Sequence, residues 1–131
     1  MGIISSLASV VMKDNRLLIV DDDKDTCSNL SDILTDCGYS VDVANGGQHA
    51  LDFFKQHPYR LVLLDYNLPD INGVSLFRQM RQIRDGIEGL LVTGFASNET
   101  EKEAVAVGLR QVVTKPVEMF DFMPLVEQAL A

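Results

Sequence analysis

The sequence predicts an α/β protein built on a parallel sheet, and three observations support this fold class. Five short apolar runs rich in Val, Ile and Leu recur along the chain, bounded by turn-forming residues. An amphipathic stretch with helical spacing follows each run. The connections are short, so the fivefold βα order favours a doubly wound five-stranded parallel sheet with helices on both faces.

Glycine and proline mark the ends of the first predicted elements. The predicted strands cover 17–20, 39–43, 61–64, 89–92 and 112–113. The first helix is predicted over 25–36, and Gly38 provides its C-terminal stop signal. Asn45-Gly46-Gly47 turns the chain into the second helix, which His57-Pro58 closes.

The remaining helices are predicted from loop and capping signals. A loop at 68–73, rich in Pro, Asp, Asn and Gly, precedes the third helix. Asn98 and Glu101 predict a capping box at the start of the fourth helix, which stops at Gly108. The fifth helix is predicted over 117–130.

Length and composition indicate one domain with a hydrophobic core. The chain has 131 residues and is 47% hydrophobic, enough to bury a core without disulfides. Cys27 and Cys37, ten positions apart on one predicted helix, match neither a zinc spacing nor a redox motif. We interpret them as reduced thiols of a cytosolic protein.

The charge distribution argues against direct contact with nucleic acid. The formal net charge is −8, with 11 basic and 19 acidic residues, and no face collects Lys and Arg. Arg78, Arg81 and Arg84 recur at three-residue spacing and are interpreted as the solvated face of a helix.

Residues 1–13 are predicted to be a flexible N-terminal extension, and residues 14–131 the domain itself. The apolar stretch 1–12 is too short to span a bilayer and lacks the basic start of a signal peptide. Gly2 and Ser6 match a myristoylation pattern, which at this length is interpreted as a chance match. No membrane association is expected.

Reactive or charged side chains follow four of the five predicted strands. Asp21 and Asp22 follow the first, Asp65 the third, Thr93 the fourth and Lys115 the fifth. Since ligands bind beyond the carboxyl ends of the strands in such sheets, these groups form a candidate phosphoryl-transfer site. Each alone is better explained by a capping turn or loop, and it is their joint occurrence, in this order, that indicates chemistry.

The residue types at these ends suit phosphoryl transfer to an aspartate. Three carboxylates brought together repel one another unless they share a cation or take up a proton, and Mg²⁺ binds through a few carboxylates while keeping waters and substrate phosphate. Asp65 is the candidate to accept a phosphoryl group as a mixed anhydride. Lys115 can neutralise charge on the phosphoryl oxygens, and the Thr93 hydroxyl can donate to one of them.

Short motifs around these positions resemble those of the receiver domain of two-component response regulators. The matching segments are Leu18–Asp23, Ala44 with Gly47 and Ala50-Leu51, Asp65–Pro69 with Gly73, Val92–Gly94, and Lys115-Pro116. The resemblance covers residues 14–131 and implies the flavodoxin-like strand order 2-1-3-4-5. It also makes Lys115-Pro116 a candidate cis peptide bond.

The resemblance implies a phosphorylation-controlled signalling module and not an enzyme that acts on a separate substrate. The implied Mg²⁺ ligands are Asp22, Asp65, the backbone carbonyl of Asn67 and, through water, Asp21. The phosphoryl group is accepted by Asp65 and bound by Thr93 and Lys115. His49, on a helix face, and His57, before a proline, are not phosphodonors in this interpretation, and both are predicted to be solvated.

The resemblance also implies partners. These are a sensor histidine kinase or a histidine phosphotransfer protein, and an output partner or domain of unknown identity. A homodimer through the face of the fourth helix, fifth strand and fifth helix is a further expectation, and the expected location is the cytoplasm. The chain is predicted to be either a stand-alone receiver or part of a larger regulator or hybrid kinase.

One position departs from the family pattern, and the sequence disfavours two other functions. Val112 lies three residues before Lys115, where the family usually has an aromatic switch residue. An aspartyl-phosphate phosphatase or flavin protein is disfavoured, because no acid lies two residues after Asp65 and no phosphate-binding glycine loop follows the first strand. The intact set of acids, threonine and lysine argues against a purely structural, degenerate receiver.

Overall fold

A computed structural model describes residues 16–131, in which strands and helices alternate. The predicted extension at 1–13 lies outside the described residues. The strands are β1 (Arg16–Val20), β2 (Ser40–Ala44), β3 (Leu61–Leu64), β4 (Glu88–Thr93) and β5 (Gln111–Thr114). The helices are α1 (Lys24–Asp36), α2 (Gly47–Gln56), α3 (Gly73–Ile83), α4 (Asn98–Ala106) and α5 (Met119–Leu130).

The five strands form one parallel sheet in the order β2-β1-β3-β4-β5, which confirms the predicted fold class and strand order. The register aligns the ends of neighbouring strands. Val20 at the end of β1 pairs with Leu64 at the end of β3, so both strands leave the sheet at the same level. Thr93 pairs with Thr114 in the same way at the ends of β4 and β5.

Side chains alternate across the sheet and form two hydrophobic clusters. On β1, Leu18 and Val20 join the cluster that α2, α3 and α4 cover, whereas Leu17 and Ile19 join the one beneath α1 and α5. Because β3 and residues 17–20 of β1 are buried on both faces, they are apolar, as expected for the interior of a doubly wound sheet.

The helix ends agree with most of the predicted signals. Gly38 and Gly108 have positive φ values of 95° and 91°, so each terminates its helix in a conformation that glycine favours. The predicted capping box at Asn98 was wrong by one residue, because Ser97 is the N-cap of α4 and accepts a hydrogen bond from the Thr100 amide. Cys37 lies at the C-cap of α1 and not within the helix.

The interpretation of Arg78, Arg81 and Arg84 as the solvated face of a helix was wrong for Arg81 and for Arg84, the C-cap residue of α3. Arg81 donates to the carbonyl of Val107 at 3.1 Å, at the end of α4. Arg84 donates to the carbonyl of Phe54 at 2.9 Å, in the last turn of α2, and its guanidinium carbon lies 4.3 Å from the centre of the Phe54 ring. Arg78 is exposed as predicted.

The two histidines also differ from each other. His49 is exposed, as predicted, and its Nδ1 accepts a hydrogen bond from the Asn45 amide at 3.3 Å. His57 is only half-exposed, with its ring edge-on to Tyr59 at 6.0 Å between centroids, so the prediction of a solvated side chain was only partly right. Within the described residues, no helix has the length and apolar character needed to cross a bilayer.

Candidate functional site

Two acids leave the sheet side by side at its carboxyl edge. The amide of Asp21 donates to the Ala44 carbonyl at 3.0 Å, and the amide of Asp65 donates to the Val20 carbonyl at 2.9 Å, so each backbone continues the sheet pairing by one step. Both residues are buried, at 2% and 7% exposure respectively. The parallel pairing of β1 and β3 therefore brings together acids that are 44 positions apart in the chain.

Asp22 completes a cluster of three carboxylates. One oxygen from each of Asp21, Asp22 and Asp65 lies within 4.8 Å of the others, and Asp22 is exposed to solvent. Burial raises the pKa of Asp21 most strongly, and the negative charge of Asp65 raises it further. The hydrogen bonds that Asp21 accepts from Lys115 and from the Asp23 amide act in the opposite direction but do not cancel the rise. An all-oxygen, partly exposed set of this kind fits a hard divalent cation such as Mg²⁺.

Lys115 is the positive charge of the cluster. Its Nζ lies 2.8 Å from Asp21 Oδ2 and 3.1 Å from Asp65 Oδ2, so one ammonium group bridges the two buried acids. Burial alone would lower the pKa of Lys115, but the hydrogen bonds and charges of Asp21 and Asp65 outweigh it and raise the pKa. The ammonium group therefore stays charged beside the candidate phosphoacceptor.

Thr93 is fully buried at the end of β4 and faces its own loop. Its hydroxyl donates to the Phe95 carbonyl at 3.5 Å, a long and weak hydrogen bond. Next to it, the amide of Lys115 donates to the Thr93 carbonyl at 2.8 Å, which ties the β5 end to the β4 end. In the described structure the Thr93 hydroxyl therefore has only this weak local acceptor.

The remaining predicted positions lie around this cluster. The amide of Asn67 donates to Asp65 Oδ1 at 3.3 Å, which holds the start of the following loop against the candidate phosphoacceptor. The peptide bond of Lys115-Pro116 is cis, as expected. Val112 is half-buried on β5 and packs against the cluster beneath α2, α3 and α4.

Sequence reasoning missed three contacts at this edge. Cys27, predicted only as a packed thiol, donates to the Asp21 carbonyl at 3.3 Å, and burial raises its pKa to about 11. Asp23 is the N-cap of α1, accepting from the Asp25 amide. Asp70 accepts hydrogen bonds from the backbone of α2. The spacing of Asp23 before a helix could have predicted its cap, whereas the contacts of Cys27 and Asp70 depend on tertiary structure.

A groove borders the cluster on one side. It measures about 450 Å³ and runs between the start of α1 and the chain after β5. Its lining residues are Asp23, Asp25, Thr26, Asn29, Lys115, Pro116 and Val117. A larger groove of about 590 Å³ between the ends of α3 and α4 contains none of the clustered acids. Of these two grooves, only the first is lined by Lys115, and neither is lined by Asp21, Asp22 or Asp65.

Comparison with protein families decides the identity of the domain. The family model described as the response regulator receiver domain matches residues 17–127. The chain belongs to this family. Transcriptional regulatory protein ZraR of Escherichia coli (strain K12) is 31% identical to it over 115 residues, 88% of this chain and 26% of ZraR. The chain thus spans about a quarter of the length of that curated relative.

Solved structures agree with this assignment. A CheY-like response regulator receiver domain protein from Methanospirillum hungatei JF-1 is 31% identical, with a TM-score of 0.85 and coverage of 89% of this chain and 94% of that one. A response regulator protein from Burkholderia pseudomallei, solved with a phosphorylated aspartic acid, calcium ion and citrate, is 25% identical, with a TM-score of 0.79. The match covers 90% of this chain and 67% of that protein.

Proposed function

We propose that this receiver domain accepts a phosphoryl group on Asp65 from a phosphohistidine and changes its partner-binding surface in response. The observation that carries the proposal is the bridge from Lys115 to both Asp21 and Asp65. A buried acid that has a charged donor on one side and a cluster of oxygen ligands on the other suits the neutralisation that phosphoryl transfer requires. The relative from Burkholderia pseudomallei, which holds a phosphorylated aspartic acid, supports the same chemistry.

The proposed step is an in-line transfer. A carboxylate oxygen of Asp65 bonds to phosphorus while the bond from phosphorus to the donor nitrogen breaks. The electron pair of that bond stays on the donor, which leaves as a neutral imidazole because its other ring nitrogen already carries a proton. Lys115 remains protonated and binds a phosphoryl oxygen, and the Thr93 hydroxyl exchanges the Phe95 carbonyl for another phosphoryl oxygen.

The metal roles belong to the same proposal. Asp22, Asp65 and the backbone carbonyl of Asn67 would hold Mg²⁺ directly, and Asp21 through water. When bound, Mg²⁺ supplies positive charge to the phosphoryl oxygens. The exposed Asp22 and the close approach of the three carboxylates support this assignment.

The proposed partners follow from the family. We infer a sensor histidine kinase or histidine phosphotransfer protein as phosphodonor, with the domain catalysing only its own phosphorylation and dephosphorylation. A cytoplasmic location, a receiver unit extending over 14–131 and a homodimer through the α4, β5 and α5 face are parts of the same hypothesis. The exposed Val105 of α4 and Phe120 of α5, at 73% and 86% exposure, support an interface there.

Incubation with acetyl phosphate and Mg²⁺ tests the assignment of Asp65. Intact-protein mass spectrometry should show the addition of one phosphoryl group. Asp65→Asn should gain none, because the amide cannot form the acyl phosphate. Asp85→Asn, a matched change at an exposed acid beyond the end of α3, should be phosphorylated like the unaltered chain. Phosphorylation of Asp65→Asn would contradict the assignment.

A further inference from the structure

Asp70 joins the loop after the candidate phosphoacceptor to the start of α2. Its Oδ1 accepts the Gly47 amide at 2.8 Å and its Oδ2 accepts the Gln48 amide at 3.0 Å. Such first-turn amides have no partner within their own helix, and the N-cap residue Gly46 provides no side-chain hydrogen bond. The two backbone amides lower the pKa of Asp70, so the carboxylate is charged at neutral pH and caps α2 from across the fold.

The contact between the loop and α2 requires glycine at position 47 and is tight at position 46. A Cβ atom at Gly47 would lie 2.3 Å from Ile71 Cγ2, and one at Gly46 would lie 3.1 Å from Asp70 Oδ1. The backbone of α2 therefore approaches the loop more closely than a side chain allows. Gly46-Gly47, which in sequence indicates only a turn, lies in the structure directly against Asp70.

The other end of the loop lies at the acid cluster. Asn67 and Asn72 form an isolated β-bridge, and the Gly73 amide donates to the Tyr66 carbonyl at 2.8 Å, which closes the loop on itself. Residues 67–72 also form hydrogen bonds with Asp65 and with α3. In the described structure, their hydrogen bonds to any other part of the fold are the two that Asp70 accepts from α2. Packing of Leu68 and Ile71 against the core adds to them.

We propose that Asp70 is a positioning residue for the metal site: by capping α2 it holds the 67–72 loop, and with it the Asn67 carbonyl, where Mg²⁺ binds. The inference rests on the proposed function, since it concerns a ligand of the proposed metal site. A backbone carbonyl binds a cation well only if its loop is fixed before the cation arrives. Asp70 provides that restraint from outside the cluster and touches none of the three clustered carboxylates in the described contacts.

The test is a calorimetric titration of Mg²⁺ into the unphosphorylated chain, with thermal melting of each variant measured in parallel. Asp70→Ala should weaken Mg²⁺ binding by about tenfold, the lower end of the range for residues that support metal ligands. Arg84→Ala is the matched control, because Arg84 binds the opposite end of the same helix from another element. It should lower the melting temperature and leave Mg²⁺ affinity within about twofold of the unaltered chain.

Each outcome bears on the proposal. Weaker Mg²⁺ binding by Asp70→Ala alone supports it. If Asp70→Ala lowers the melting temperature and leaves Mg²⁺ affinity unchanged, Asp70 only stabilises the fold. If Asp70→Ala and Arg84→Ala lose Mg²⁺ affinity equally, the loss is a general effect of destabilisation. Either result overturns the inference. If the unaltered chain itself binds no Mg²⁺, the proposed metal site fails, a result distinct from a failure of Asp70 alone.

Discussion

The amino edge of the sheet, where the strands begin, and the carboxyl edge, where they end, both pair charged side chains with helix ends, but within the described residues only the carboxyl edge also brings three carboxylates together. At the amino edge, Arg84 and Arg81 donate to carbonyls at the ends of α2 and α4, and Arg60 and Arg110 donate to the last turn of α5. At the carboxyl edge, acids meet amides at the starts of α1 and α2. Both arrangements complement the helix dipole.

The difference lies in what remains after these pairings. The arginines at the amino edge meet backbone carbonyls, and α4 and α5, which have no basic residue in their own last turns, receive theirs from other elements. At the carboxyl edge, three clustered carboxylates face one ammonium group. A divalent cation would neutralise this excess negative charge, so the arginines of the amino edge stabilise helix ends, whereas the clustered carboxylates match the proposed chemistry.

Of the substitutions that test the difference between the two edges, replacing Lys115 should have the largest effect, and the effect should be on the rate of phosphorylation. In Lys115→Ala, Asp65 keeps its position but loses the charged donor at 3.1 Å, so the initial rate of phosphorylation by acetyl phosphate should fall by about 10²- to 10³-fold. Lys55→Ala, an exposed change in the last turn of α2, is the control and should react at the unaltered rate. A Lys115→Ala rate close to that of the control would show that the ammonium group has no part in the transfer.

Replacing Arg84 at the opposite edge should change stability and leave chemistry intact. Arg84→Ala loses the hydrogen bond to the Phe54 carbonyl and the contact with its ring, so the free energy of unfolding should fall by about 1.5 kcal/mol in urea titrations. The expected loss is at the lower end of the range for hydrogen bonds from charged donors. Nη1 of Arg84 is buried with no partner in the described structure, and removing this unsatisfied group offsets part of the loss.

Arg78→Ala provides the control for that measurement. Arg78 lies on the same helix and is exposed, so its loss should change stability by no more than about 0.5 kcal/mol. Both variants should be phosphorylated at the unaltered rate. Equal destabilisation by Arg84→Ala and Arg78→Ala would mean that the contact of Arg84 with α2 contributes nothing to stability. Slower phosphorylation of Arg84→Ala would mean that contacts at the amino edge also affect the reaction at the carboxyl edge.

The sequence was sufficient for the sheet and for the order of its strand ends, but not for the contacts that join distant loops. Runs such as Leu61–Leu64 are apolar because both sheet faces are covered, which is a local signal. In contrast, the spacing of Arg81 and Arg84 resembles any solvated helix face, and their acceptors are carbonyls of other helices. Asp70 likewise has no local partner that reveals its cap. Side chains that bind backbone far away in sequence leave no periodic pattern.

The smallest expected effect concerns how a signal leaves the carboxyl edge. The Thr93 hydroxyl donates weakly to the Phe95 carbonyl, and exchanging that acceptor for a phosphoryl oxygen should release the segment that carries Phe95, a residue at 78% exposure. Val112 is a half-buried, β-branched residue with one favoured rotamer, so β5 should respond little. Beryllofluoride with Mg²⁺ should therefore shift NMR amide signals more over 93–98 than over 111–113.

Two further results would decide this last prediction. Thr93→Ala should abolish the response over 93–98, because the alanine side chain has no hydroxyl to move toward the phosphoryl mimic. Its β4 neighbour Val92→Ala, which removes core volume but no hydroxyl, should keep the response and serves as the control. Shifts around Val112 as large as those around Phe95 would show that the strand-five face moves together with Thr93 despite the missing aromatic ring. In that case the movement of β5 with Thr93 at the end of β4 would not require an aromatic side chain at position 112.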